Sequence, residues 1–94
     1  MPRSRSINAE EAQIIALKML AFLASDGDRL GAFLAASGLG PADLTSGARN
    51  PQFLAGVMDY LLGDESLLLA FAENGGIDPA TIAGARCSLP GVGP

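Results

Sequence analysis

Hydrophobic residues recur along the chain at helical rather than alternating spacing. Asn8 followed by Glu11 has capping-box spacing, in which an amide oxygen and a carboxylate satisfy the free N–H groups of a helix start. Residues 9–24 then run without Pro or Gly. In that run Glu11 and Lys18 lie seven apart on one narrow stripe. The wide apolar face left over predicts a helix largely surrounded by others. Ser25-Asp26-Gly27-Asp28 interrupts it, with Ser25 or Asp26 able to cap a second helix over about 28–37. Gly38 fits the left-handed position that ends a helix, and Pro41 fits the first turn of a short third helix reaching to about residue 49.

Asn50-Pro51 repeats the cap-then-proline signal. Over 51–62, Phe53, Leu54, Val57, Met58, Leu61 and Leu62 fall on one helical face, with Gln52, Gly56 and Asp59 on the other side. Gly63-Asp64 punctuates, residues 65–74 form a fifth helix, and Gly75-Gly76 stops it. Asp78-Pro79 starts a sixth helix that must end before Pro90. No segment shows the sustained alternation of a strand. The class is therefore all-α, a single compact domain of about five to six short helices.

The chain also resembles itself at an offset of 38 residues. Over residues 22–44, eight of 23 paired positions are identical, including Asp26 with Asp64, Phe33 with Phe71, Gly38 with Gly76 and Pro41 with Pro79. Phe22 stands against Tyr60, Leu39 against Ile77 and Leu44 against Ile82. A period of this length is the size of one supersecondary unit. The organisation read from this is a flexible basic N-terminal tail over 1–7, one helical domain over 8–89, and an irregular C-terminal tail over 90–94. The domain would hold an internal repeat at about 12–49 and 50–87, two pseudo-symmetric three-helix units.

Composition narrows the function. The 94 residues are 49% hydrophobic and 17% charged, with one cysteine and no histidine or tryptophan. Without histidine there is no Ser-His-Asp or Cys-His unit and no histidine-ligated zinc. One cysteine makes neither an internal disulfide nor a CxxC pair, and a lone thiol suits the reducing cytoplasm. The start, MPRSRSINAEE, lacks the apolar stretch of a secretory signal. The most apolar run, 14–24, is broken by Lys18 and falls short of the ~20 residues a membrane span needs. Net charge is −4, and the chain after the first eight residues carries four basic against ten acidic side chains. Such a body repels phosphate backbones and disfavours nucleic acid as a partner.

Each candidate motif has a simpler reading. Asp26-Gly27-Asp28 with Gly31 opens like a calcium loop, but Leu30 and Ser37 stand where oxygen ligands are required, so a helix cap accounts for it. Gly38-Leu39-Gly40 ends a helix and is no phosphate loop. Asp59, Asp64 and Glu65 lie at helix ends or on a polar face, where carboxylates are solvated rather than catalytic. Cys87, at apolar spacing from Ala83 and beside Arg86, reads as a small buried hydrophobe. A helix-turn-helix reading suits Ala72, Gly76, Ile77 and Ile82. Its two recognition helices, however, offer only Arg49 and Arg86 as cations, besides Asp43, Thr45, Ser46 and Thr81. No catalytic, cofactor-binding or metal site is predicted.

Residues 30–44 (LGAFLAASGLGPADL), 50–72 (NPQFLAGVMDYLLGDESLLLAFA) and 85–91 (ARCSLPG) resemble a family of short, acidic, helical alphaproteobacterial proteins, a domain of unknown function. The resemblance spans about residues 7–91. It implies a single all-α domain in the bacterial cytoplasm and brings no activity, cofactor or site residue. The function expected is a non-enzymatic helical interaction module, an adaptor or regulatory partner of another protein or of itself as a homodimer, with helix-turn-helix DNA binding as the alternative.

Overall fold

The computed structural model describes residues 8–89. Within them six helices follow one another: α1 (Ala9–Ala24), α2 (Gly27–Ser37), α3 (Pro41–Gly47), α4 (Pro51–Leu62), α5 (Glu65–Gly75) and α6 (Pro79–Arg86). No strand occurs among the described residues, and the helices form one small globule. The tails expected at 1–7 and 90–94 lie outside the described residues.

Local chemistry explains each boundary. Asn8 Oδ1 accepts from the Glu11 N–H at 2.8 Å, and the Asn8 N–H donates back to Glu11 Oε1 at 3.3 Å, completing the box that opens α1. Ser25 closes α1, donating its hydroxyl to the Phe22 carbonyl, while Asp26 caps α2 through the Asp28 and Arg29 N–H groups. Asn50, Asp64 and Asp78 cap α4, α5 and α6 in the same way. Five caps of this type each satisfy donors that a helix start leaves open. At α3 the roles reverse: Gly40 has no side chain, and its N–H donates to Asp43 Oδ2 at 2.8 Å.

Gly38 and Gly76 end α2 and α5 at φ of 74° and 66°, in the left-handed region. Leu39 and Ile77 then donate back to the Leu34 and Ala72 carbonyls and turn half-buried side chains inward, the geometry of a Schellman stop. The third helix ends at Gly47, short of the expected residue 49. Asn50 must be extended to cap α4, so the intervening residues tighten into turns, with Arg49 donating to the Ser46 carbonyl and Asn50 to that of Gly47.

The core forms where α1 crosses α4, the broadest helix contact in the molecule. Met19 and Leu23 from α1 meet Leu54, Val57, Met58 and Leu61 from α4, all essentially removed from water. Phe71 and Ile82 close the core from α5 and α6. Burial of a side chain of this size is worth about 1.5–3 kcal/mol, and these contacts supply most of the drive to fold. Helix α6 rests on α1, α4 and α5, whereas α3 rests chiefly on α4.

Three aromatic pairs tie the halves of the chain together, Phe33 with Phe53 and two that mirror each other. Phe22 of α1 meets Phe71 of α5 edge to face, with centroids 5.5 Å apart and planes at 69°. Tyr60 of α4 meets Phe33 of α2 at 5.0 Å and 71°. Adding 38 to the numbers of α2 returns the bounds of α5, Glu65–Gly75, and the two ring pairs exchange under the same offset.

The expectation that α1 is largely surrounded needs correction. Its buried face is Ala12, Ala16, Met19, Phe22 and Leu23, which faces α4, α2 and α6. Ile14 and Leu17 remain 47% and 39% exposed. Five short neighbours cannot enclose a 16-residue helix, and the polar stripe is too narrow to cover the side they leave open.

Candidate functional site

The exposed side of α1 borders a shallow, open groove. Ile14, Ile15 and Lys18 form one wall of it, and Ile77 and Thr81, from the turn into α6 and its first residues, form the other. Glu11 and Asp78 add acidic groups to its lining. A second depression continues along α1 past Ala21 and Ser25, against Phe71 and Asn74 of α5. Lys18 and Ile77 line both, so the two make one continuous surface with the chain's single lysine midway.

Local sequence explains the surface. The stop at Gly76 swings Ile77 back toward the core, and Asp78 then caps α6, fixing the far wall. On the near side, helical spacing turns Ile14, Lys18 and Ala21, and Leu17 outside the groove, away from the buried Ala12, Ala16 and Met19. Exposed large apolar side chains grouped beside a groove mark interaction surfaces more often than single ones do.

The candidates read from the sequence disperse. Asp59 is exposed to solvent, as its polar face implies, but it is also paired. Its carboxylate accepts from Arg86 Nε at 2.6 Å and Nη2 at 3.0 Å, joining α4 to α6 across 27 residues. The Arg86 side chain is 11% exposed, and its Nη1 also donates to the Leu89 carbonyl. The hydrogen bond to Asp59 raises the Arg86 pKa above its usual value, against the opposing effect of burial. Asp64 is occupied as the cap of α5, and Glu65 is exposed in its first turn.

Cys87 corrects a second expectation, because its thiol is exposed. Spacing from Ala83 identified a face of α6, but Ala83 is itself exposed, and the buried face carries Ile82, Ala85 and Leu89. The thiol makes a weak contact to the Ala83 carbonyl, Sγ to oxygen at 3.9 Å. Asp26, first residue of the failed calcium loop, is engaged as a cap and lies 3.9 Å from Arg29. The Arg29 guanidinium lies over the Phe22 ring, 4.5 Å from its centroid. Among the described residues no group of three or more His, Cys, Asp or Glu side chains is placed to hold a metal ion.

The helix-turn-helix elements exist as geometry, with left-handed glycines between α2 and α3 and between α5 and α6. Their cations are poorly placed for base readout. Arg49 lies beyond the end of α3, and Arg86 is committed to Asp59. Sequence reasoning missed the α1 surface, although a signal was present. Between Ile14 and Ala24 only Lys18 is charged, so a helix at the rim of a small domain had to leave apolar side chains in water.

The profile of a family described as Protein of unknown function (DUF3572) matches residues 9–92, and the chain belongs to that family. No curated protein and no solved structure matches it. Among the described residues no helix is long and apolar enough to cross a membrane.

Proposed function

We propose that this member of the DUF3572 family is a non-enzymatic protein–protein interaction module, acting in the bacterial cytoplasm as an adaptor or regulatory subunit. The observation that carries the reading is the α1 surface, where Ile14 and Leu17 stand exposed beside the groove between Ile15 and Ile77. A groove of this kind takes a partner's apolar anchors, with Lys18 available to pair an acidic group on the partner. The engagement of Asp26, Asp64 and Asp78 as helix caps and of Asp59 by Arg86 gives most of the acids that drew notice a structural task. The exposed single thiol of Cys87 suits a reducing compartment.

Affinity capture from the native host, with half the lysate treated with nuclease, tests the reading. A dominant nuclease-insensitive partner is expected, captured by the wild-type chain and lost with I14D/L17D, whose helicity stays native because both positions are exposed. A partner retained by I14D/L17D would refute the α1 surface. Partners that vanish with nuclease, together with a duplex-DNA shift that falls steeply with salt, would establish the DNA-binding alternative instead.

A further inference from the structure

The α1 surface is complementary to itself, and we infer that its occupant is a second copy of this chain, with the two α1 helices packed antiparallel. The inference rests on the reading of α1 as an interaction surface and names what covers it. Along its exposed side α1 presents Glu10 and Glu11, then Ile14 and Leu17, then Lys18 and Ala21. Reversing that order on a twofold axis sets acid against base at both ends and apolar against apolar in the middle. Interfaces between identical copies take this self-matching form.

The distances agree. With the axis between Ile14 and Leu17, a rise of ~1.5 Å per residue places Lys18 about 4 Å beyond the centre and Glu11 about 7 Å before it. The lysine of one copy therefore falls about 3 Å short of the other's Glu11 along the axis, a gap that its four-carbon stem spans. Lys18 makes no ion pair among the described residues, so its charge is open to a partner. A foreign helix would have to present acid, then apolar, then basic groups in the same reversed order, and α1 already does so. The ends also select direction, because a parallel pairing would set lysine against lysine and acids against acids.

Sedimentation equilibrium of the full chain over a concentration series tests this. A single helix face makes a small interface, so the series extends to about 0.5 mM, near the millimolar Kd of weak association. The expected result is a mass that rises from 9.5 kDa toward twice that value. K18E and E10K/E11K should each stay monomeric. Mixing them should restore a dimer, because every end then meets its opposite. E10K/E11K also breaks the Asn8 capping box, so circular dichroism monitors its helicity, and K18E with L17D gives an independent pair at exposed positions that keep the fold. A wild-type chain that is monomeric throughout overturns the inference and leaves the capture experiment to judge a foreign partner. A dimer that persists in K18E and L17D places the interface elsewhere and overturns it too. Failure of K18E and E10K/E11K to pair on mixing, with both helical, refutes the antiparallel arrangement.

Discussion

Arg86 grips Asp59 with two parallel hydrogen bonds, Nε to Oδ1 at 2.6 Å and Nη2 to Oδ2 at 3.0 Å, and thereby fastens the last helix to the central one. The fork of a guanidinium fits a carboxylate in a way that an ammonium cannot. Asp59 is 57% exposed, so solvent screens the pair and its worth is modest. D59N and R86K are each expected to cost about 0.5–1 kcal/mol, with R86K failing to substitute for arginine despite its charge. Urea unfolding should show a lower midpoint with an unchanged slope in both. An R86K midpoint equal to wild type would mean that charge alone matters.

Gly47 lies beneath the Phe53 ring. A Cβ at that position would stand 2.6 Å from the nearest ring carbon, far inside contact distance. Phe53 in turn meets Phe33 edge to face at 6.4 Å, so it cannot swing aside without disturbing α2. G47A is expected to destabilise the domain by about 1–3 kcal/mol through overpacking. The cost should shrink sharply in an F53A background, and additive costs in that double-mutant cycle would rule out the clash.

Gly38 and Gly76 share a backbone conformation and differ from Gly47 in having open space where a Cβ would go. Their substitution therefore isolates backbone strain. G38A and G76A are each expected to cost about 1–2 kcal/mol, and G38N and G76N less, since asparagine visits the left-handed region more readily. Thermal melts of the four variants provide the comparison. Alanine costing no more than asparagine would contradict the assignment.

Cys87 should react with a thiol reagent in the folded protein, at full stoichiometry and without denaturant, because its side chain is exposed. C87S should leave stability within about 0.5 kcal/mol of wild type, as surface changes do. Labelling that required denaturant would place the thiol in the core.

The helix boundaries were legible because they are local. Asn8, Asp26, Asn50, Asp64 and Asp78 each bond an N–H within three residues, and Gly38 and Gly76 each supply a conformation that other residues avoid. What escaped was set by the angles at which helices cross. The spacing of Cys87 from Ala83 defines a helix face but not the direction that face points once α6 settles on α1 and α4. Arg86 lies 27 residues from Asp59, and nothing between them signals the pairing. The exposure of Ile14 and Leu17 follows from the number of helices available to cover α1, a property of the whole chain.

The aromatic pairs carry a consequence for how the chain acquires its structure. Phe22 finds its ring partner on α5 and Phe33 finds its own on α4, so each aromatic contact spans the first three helices and the last three. Neither trio holds a finished core. If the backbone were cut in the turn at Ala48 and Arg49, the two fragments would each be largely unstructured and would regain helicity on being combined. Folding is then mutual recognition between two half-chains joined by a short tether, and a single cooperative unfolding transition, coincident by circular dichroism and tyrosine fluorescence, is the outcome expected of it.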